Sequence, residues 1–201
     1  MKSSTRYLFV ASFILWASAH GFAQAPAGPA AAPAPAPAPA LPAGVLIADL
    51  RGEAIPAYGY SSWKDRLKRT ANGVTVVGSL GAQGDGGFCS NAFSPTLDLT
   101  GVQFVEVALG VGRTNEVPEV TIALADADGT NVSARIRIGQ IAPEQSVWFR
   151  IPVASMLPGN GEYAGKVAGM DWSKVSMWHL QGDWTTKKPA QFIFIAIRAV
   201  R

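Results

Sequence analysis

A long alternation of apolar and polar residues in the middle of the chain most constrains its fold. Val120, Ile122 and Leu124 alternate with polar or small residues, and the alternation resumes after residues 126–130 and continues to Ile138. Successive side chains of a β-strand point to opposite faces, so this period of two predicts two half-buried strands. The segment between them reads Asp-Ala-Asp-Gly-Thr, and its glycine suits a tight turn. The sequence therefore predicts a β-hairpin at this position.

A similar pattern recurs through residues 44–201, where short apolar runs are separated by the turn-forming residues Gly, Pro, Asn and Asp. Further strands are predicted at 45–50 and 74–80, within 102–111, 145–153 and 173–182, and at 191–200. The last run, QFIFIAIRAV, is apolar on both faces, which predicts a position in the middle of a sheet. One helical turn is predicted within residues 60–70 and another within residues 170–174. The predicted fold class is all-β, a single antiparallel β-sandwich of jelly-roll type.

The N-terminus carries the pattern of a signal peptide. Lys2 and Arg6 precede an apolar run over residues 7–19, which is too short to span a bilayer. Residues 23–25 (Ala-Gln-Ala) then offer a small-x-small cleavage site. An uncleaved signal anchor is the alternative. Residues 1–25 are thus predicted to direct export, leaving a secreted, periplasmic or envelope protein without a transmembrane segment.

An Ala/Pro-rich segment, residues 26–43, follows and holds seven of the 14 prolines. Proline lacks an N–H group and biases the preceding residue toward extended backbone, so this composition excludes both helix and sheet. A disordered, semi-rigid polyproline-II arm is predicted, either as a simple spacer or as a means of reaching cell-wall material or a partner. The folded domain is predicted over residues 44–201.

Charge argues against a nucleic-acid partner. Removal of Lys2 and Arg6 with the signal peptide would leave 15 of the 17 basic residues against 14 acidic ones. Affinity for nucleic acid depends on clustered Lys and Arg that neutralise phosphates, and this near-neutral balance does not supply such a surplus. The local cluster at residues 64–69 is interpreted as a solvated face.

Few residues of the predicted domain suit catalysis. His179 is its one histidine and Cys89 its one cysteine, no G-x-S-x-G elbow is present, and a metal site built from Cys and His is excluded by count. A glycosidase needs two carboxylates at a defined separation, and Glu106 and Glu119 are the candidates if their strands are neighbours. Alternatively, Glu106 is an ordinary ion-pair partner of Arg135 or Arg137.

Several motifs resemble galactose-binding-like β-sandwiches, which include many carbohydrate-binding modules of exported bacterial proteins. The resemblance rests on turns and strand entries, namely Asp49-Leu50-Arg51-Gly52, Leu97-Asp98-Leu99-Thr100-Gly101, Asp126 to Thr130, Asp171 to Val175 and Gln181-Gly182-Asp183. It covers nearly all of residues 45–200 and implies a non-catalytic glycan-binding role. It also implies the possibility of a structural calcium near the chain ends, to which Asp49 could contribute. No other cofactor is expected.

Sugar recognition needs aromatic faces and convergent polar groups, and the strand pattern supplies both on faces turned away from the core. If their strands share one concave sheet, the predicted binding residues are Trp148, Arg150, Arg135, Arg137, Glu106, His179 and Gln181. The arginines in this set would suit acidic sugars. A site at a loop edge is the alternative, built from Tyr58, Tyr60, Trp63 and Trp184.

The sequence therefore predicts an exported, non-enzymatic binding module that recognises carbohydrate, such as an envelope polysaccharide. Two other roles stay open. The first is a structural or protein-interaction module of the cell envelope, and the second is a glycoside hydrolase.

Overall fold

The structure, a computed structural model, describes residues 44–51, 57–61, 63–64, 66–79, 86–158, 169–182 and 188–201. The predicted signal peptide and Ala/Pro-rich arm lie outside these residues. Among the described residues no helix is long and apolar enough to cross a membrane.

The described part of the chain is built from β-strands, most of them four to eight residues long. In chain order they are β1 (Val45–Asp49), β2 (Ala57–Ser61), β3 (Leu67–Thr70), β4 (Gly73–Ser79), β5 (Gly86–Ser90), β6 (Phe104–Val111), β7 (Val120–Asp126), β8 (Asn131–Ile136), β9 (Ser146–Pro152), β10 (Leu157–Pro158), β11 (Val175–Gly182) and β12 (Pro189–Val200).

The strands form two antiparallel sheets. Sheet I has the order β3-β4-β12-β6-β9, and β1 also pairs with β12. Sheet II has the order β10-β8-β7-β11-β5-β2. The apolar side chains of the two sheets belong to one buried cluster, so the sheets pack face to face. The predicted antiparallel β-sandwich is confirmed.

Strand β12 occupies the middle of sheet I, as its uniformly apolar sequence predicts. Residues 189–194 pair with β4 and residues 196–199 with β1, while β6 pairs along the other side. Phe192 and Phe194 face the core, and Ile195 lies in a second apolar cluster on the outer face of the sheet. A strand that is covered on both faces can be apolar on both, which is the pattern seen here.

The β7–β8 hairpin is confirmed, and the acidic residue at the end of β7 has a structural role in its turn. Asp126 is buried, and its carboxylate accepts backbone N–H bonds from Asp128, Thr130 and Asp171 at 3.2, 3.0 and 2.8 Å. Gly129 has a φ of 88°, a conformation that glycine adopts at little cost. The carboxylate therefore closes the turn and ties it to the segment before β11.

Of the two predicted helical turns, one is confirmed and one is wrong. Residues Trp172–Lys174 form a 3-10 turn, capped by the Asp171 side chain, which accepts the N–H of Ser173. Residues 60–70 instead contain the end of β2 and all of β3. β3 is a strand because it pairs with β4 across a short turn, an interaction that outweighs its weak local preference.

An aromatic cluster joins the two sheets in the core. Trp63 lies 5.4 Å from Phe192 and 6.4 Å from Phe88 between ring centroids, and Phe88 meets Trp178 edge-on at 5.3 Å. All four side chains are almost fully buried. Trp63 is therefore a core residue, and its place in the predicted loop-edge site is wrong. The side chains of Tyr58, Tyr60 and Trp184, the other members of that site, lie outside the described part of the chain.

Candidate functional site

The structure divides the seven predicted binding residues between the outer faces of the two sheets. Trp148, Arg150 and Glu106 lie on β9 and β6 of sheet I, whereas Arg135, His179 and Gln181 lie on β8 and β11 of sheet II. Arg137 follows the end of β8 and is exposed. On β6 and β9, and likewise on β8 and β11, the side chains point away from the core, as expected. The seven residues do not share one sheet, however, as the predicted site required. Two separate surfaces must therefore be considered.

The outer face of sheet I, called face I below, is centred on a row of charges across three strands. Arg150 on β9 and Arg198 on β12 are both register partners of Glu106 on β6. Arg150 donates its Nε to Glu106 Oε1 at 2.6 Å, and Arg198 donates Nε and Nη2 to Oε2. One carboxylate is thus held between two guanidinium groups. The alternative that Arg135 or Arg137 pairs with Glu106 is wrong, since Arg135 lies on sheet II and pairs with Glu119.

Aromatic rings lie against both arginines of this row. The Arg198 guanidinium carbon lies 4.4 Å from the ring centroid of Trp148, and that of Arg150 lies 5.0 Å from Phe104. Trp148 also packs against the apolar cluster of Ala108, Ile195 and Ala196. Cation–π contacts of this kind fix the plane of a guanidinium as well as contributing attraction.

The environment of Glu106 keeps it ionised. Burial raises the pKa of this carboxyl, but the hydrogen bonds and charges of Arg150 and Arg198 outweigh that effect and hold the pKa below its ordinary value of 4.5. A carboxylate committed to two arginines is poorly suited to donate a proton. Glu119 lies next to β7 in the other sheet, where it pairs with Arg135 at 3.1 Å. The structure therefore does not bring the predicted glycosidase pair together.

The outer face of sheet II, called face II below, carries two cross-strand rows. In the first row His179 stands between Cys89 and Ala123, and Ala123 pairs with Ser133. In the second row Gln181 stands between Gly87 and Thr121, and Thr121 pairs with Arg135. By the same register, Tyr58 and Tyr60 of β2 are the partners of Cys89 and Gly87.

Polar groups on face II rise from a floor of small residues. Ala123 and Ala125 are almost buried, whereas Thr121, His179 and Gln181 are half-buried. The Ala123 side chain ends at Cβ, and its register partner on β11 is the longer His179 side chain. Within the part of the chain that the structure describes, nothing hydrogen-bonds to the His179 imidazole or to the Gln181 amide. The three polar side chains lie on the two adjacent strands β7 and β11.

His179 is held in its neutral form by its surroundings. Burial lowers the pKa of the imidazole below its ordinary value of 6.5, because desolvation disfavours the charged form. A neutral imidazole offers one N–H donor and one acceptor nitrogen. At neutral pH His179 can therefore both donate to and accept from a hydroxyl group.

We expect a proton NMR titration of the His179 imidazole to have its midpoint below pH 6.5 in the folded protein. Because the folded state takes up this proton less readily than the unfolded chain, stability should fall as the pH drops below 6.5 and the imidazole charges. The His179→Gln variant should lose this part of the pH dependence. A midpoint at or above 6.5 would contradict the burial seen here.

Cys89 is the cross-strand neighbour of His179, but its thiol is buried. A single buried cysteine most often serves packing, and its place on β5 fits that role. The register brings the two residues together without exposing the sulfur to a substrate.

The residues around Asp49 do not fit a calcium site. Its carboxylate accepts the backbone N–H of Arg51 at 3.1 Å and the guanidinium of the same residue at 2.8 and 2.6 Å. Calcium prefers six to eight oxygen ligands, and this carboxylate is instead occupied by a cation of the chain itself. Among the described residues no group of three or more His, Cys, Asp or Glu side chains is placed to hold a metal ion.

Comparison with solved structures finds the same two-sheet architecture in carbohydrate-binding proteins. A family 11 carbohydrate-binding module of a cellulosomal cellulase of Clostridium thermocellum matches with a TM-score of 0.54 at 13% identity, over 80% of this chain and 96% of that one. A family 11 module from the same organism, in complex with a β-1,3-1,4-mixed-linked tetrasaccharide, matches with a TM-score of 0.55 at 14% identity. That match covers 78% of this chain and 94% of the other. The chain has the fold of a carbohydrate-binding module.

An agarase matches as well, with a TM-score of 0.55 at 11% identity, over 79% of this chain but 25% of the agarase chain. No protein-family model and no curated protein matches the sequence. The fold resemblance predicted from the turn motifs is confirmed. At these identities the likeness establishes the fold, so the function of this module has to be argued from its own surfaces.

Sequence reasoning missed one residue of face I. Arg198 is the only charged residue in the apolar run of β12, and it is 5% exposed. A lone charge within a strand that is apolar on both faces implies a partner of opposite charge on a neighbouring strand. The lone arginine in this apolar run is visible in the sequence and indicates a buried acidic partner, which in the structure is Glu106.

Proposed function

We propose that this protein is an exported, non-catalytic carbohydrate-binding module that holds a glycan on face II. The observation that carries the proposal is the placement of His179, Gln181 and Thr121, three hydrogen-bonding side chains on adjacent strands, above a floor of small residues. The carbohydrate-binding fold supports it. The module with the same fold that is in complex with a tetrasaccharide also supports it.

The chemistry of face II suits sugar hydroxyls. A hydroxyl both donates and accepts, and the neutral imidazole, the primary amide and the threonine hydroxyl all offer donors and acceptors. The alanine floor lets a flat sugar ring approach the sheet closely. The register adds Tyr58 and Tyr60 at one end of the rows and Arg135 at the other. A chain of several sugars lying across the strands would meet each of these positions in turn.

Export is proposed because residues 1–25 have the sequence of a signal peptide. A non-catalytic role is proposed because ion pairs occupy the carboxylates of Glu106 and Glu119. In this role the module would attach to polysaccharide outside the cytoplasm, with no reaction of its own.

The test is a glycan-array screen of the purified protein, followed by calorimetry with the best ligand. We expect selective binding that weakens about tenfold or more in the His179→Ala, Gln181→Ala double variant, since two hydrogen bonds are lost. A matched double variant, Gln103→Ala with Gln140→Ala, removes two exposed side chains that are not on the strands of sheet II and should bind as the unchanged protein does.

Two results would contradict the proposal. Binding that survives in a folded double variant would place the site elsewhere on the molecule. A screen without any ligand would favour the structural or protein-interaction role instead. Circular dichroism spectra of all variants establish that the comparison is made between folded proteins.

A further inference from the structure

Face I presents an arginine whose two terminal nitrogens have no hydrogen-bond partner among the described residues. Arg150 is 58% exposed, and its Nε is fixed on Glu106 at 2.6 Å while its guanidinium lies over Phe104. Within the described part of the chain its two terminal nitrogens contact no acidic group. A guanidinium that is already oriented in this way loses little conformational freedom when it binds a two-oxygen acceptor.

The row that holds Arg150 carries an excess positive charge. Glu106 neutralises one guanidinium, but Arg150 and Arg198 together supply two. The Arg198 side chain is 6% exposed, and its Nη1 is a buried donor without an acceptor in the described structure. The indole N–H of Trp148, which stacks on Arg198, is also buried without a partner. The indole N–H groups of the core residues Trp63 and Trp178 are also buried without a partner in the described structure. The unpaired nitrogen of Arg198 is therefore what distinguishes face I.

We propose that face I is a second binding site, one that takes the carboxylate of an acidic saccharide. The two terminal nitrogens of Arg150 match the two oxygens of a carboxylate, a charge-assisted and geometrically specific pairing. Phe104 and Trp148 flank the row, and each ring holds one of the two guanidinium groups in place. The buried charge of Arg198 adds attraction that the surrounding water screens only weakly. This site uses no residue of face II. It recognises the negative charge of a saccharide, whereas face II recognises hydroxyl groups.

The test is calorimetry of the full chain with a galacturonic acid oligosaccharide and with its methyl ester of the same length. We expect the acid to bind and the ester to bind at least tenfold more weakly, because esterification removes the anion. Arg150→Gln should weaken binding of the acid by a similar factor. Arg113→Gln is the matched control, since the Arg113 side chain is 66% exposed and is also paired with a glutamate. In the described part of the chain no second arginine shares that glutamate, and no aromatic ring lies against Arg113.

Three results of the calorimetry would overturn the proposed carboxylate site on face I. The proposal is overturned if acid and ester bind alike, if Arg150→Gln behaves as Arg113→Gln does, or if the acid does not bind. Equal binding of inorganic sulfate would overturn the assignment to a saccharide carboxylate. The His179→Ala, Gln181→Ala variant should still bind the acid, so a failure of face II and a failure of face I are distinguishable.

Discussion

Replacing Glu106 with glutamine is expected to lower the free energy of unfolding by about 3 to 5 kcal/mol, the range seen when one partner of a buried ion pair is removed. Glu106 and Arg198 are 4% and 6% exposed at their side chains. Glutamine keeps the size of the side chain but removes the negative charge, so the buried guanidinium of Arg198 would lose its counter-ion. The cost arises from that uncompensated charge and not from lost packing.

Urea unfolding of Glu106→Gln and Glu119→Gln provides the measurement and its control. Glu119 pairs with Arg135, which is 75% exposed, and such exposed pairs contribute only about 0 to 1 kcal/mol. The first variant should therefore lose far more stability than the second. Equal, small losses in the two variants would show that the charges of face I are well solvated.

The same row predicts a loss of stability in acid. The folded pKa of Glu106 lies below 4.5, so its contribution is complete above that pH and is lost as the pH falls through the lower folded value. This part of the acid sensitivity should be missing in Glu106→Gln.

Replacing Trp63 with alanine is expected to cost about 3 to 5 kcal/mol, as for other fully buried tryptophans. Trp63 is fully buried and contacts rings contributed by both sheets, since Phe88 belongs to β5 and Phe192 to β12. The substitution removes the centre of the aromatic cluster and leaves a cavity between the sheets.

Thermal unfolding of Trp63→Ala should show a large drop in Tm, whereas Leu157→Ala serves as a surface control because Leu157 is 69% exposed. If Trp63 belonged to a loop-edge glycan site, its replacement would instead weaken binding with little change in Tm. That pattern would contradict the packing described here.

The sandwich could be predicted because its longer strands carry their own pattern. The hairpin of β7 and β8 and the central position of β12 follow from alternation and from uniform apolarity. β3 and β5 carry little such pattern, since β3 reads LKRT and β5 reads GGFCS. β3 pairs with the next strand, β4, across a short turn, whereas β5 pairs with β11, which is distant in sequence. In both strands the pairing contacts, and not an alternating pattern, decide the structure.

For the candidate site, the sequence predicted which way each side chain faces but not which strands are neighbours. Trp148 and His179 both point away from the core as expected, yet they lie on different sheets. Alternation within a strand is a local property, whereas membership of a sheet depends on contacts between distant segments. The partnership of Glu106 with Arg198, 92 positions apart, is of the second kind.

The central claim, that a glycan lies on face II, is tested most directly by following backbone amide NMR shifts while the best array ligand is added to the protein. We expect the largest shifts at β5, β7, β8 and β11, centred on His179 and Gln181, together with a change in the imidazole signals of His179. Shifts of a neutral ligand confined to β6 and β9, or to segments outside both sheets, would contradict the assignment of the glycan site to face II.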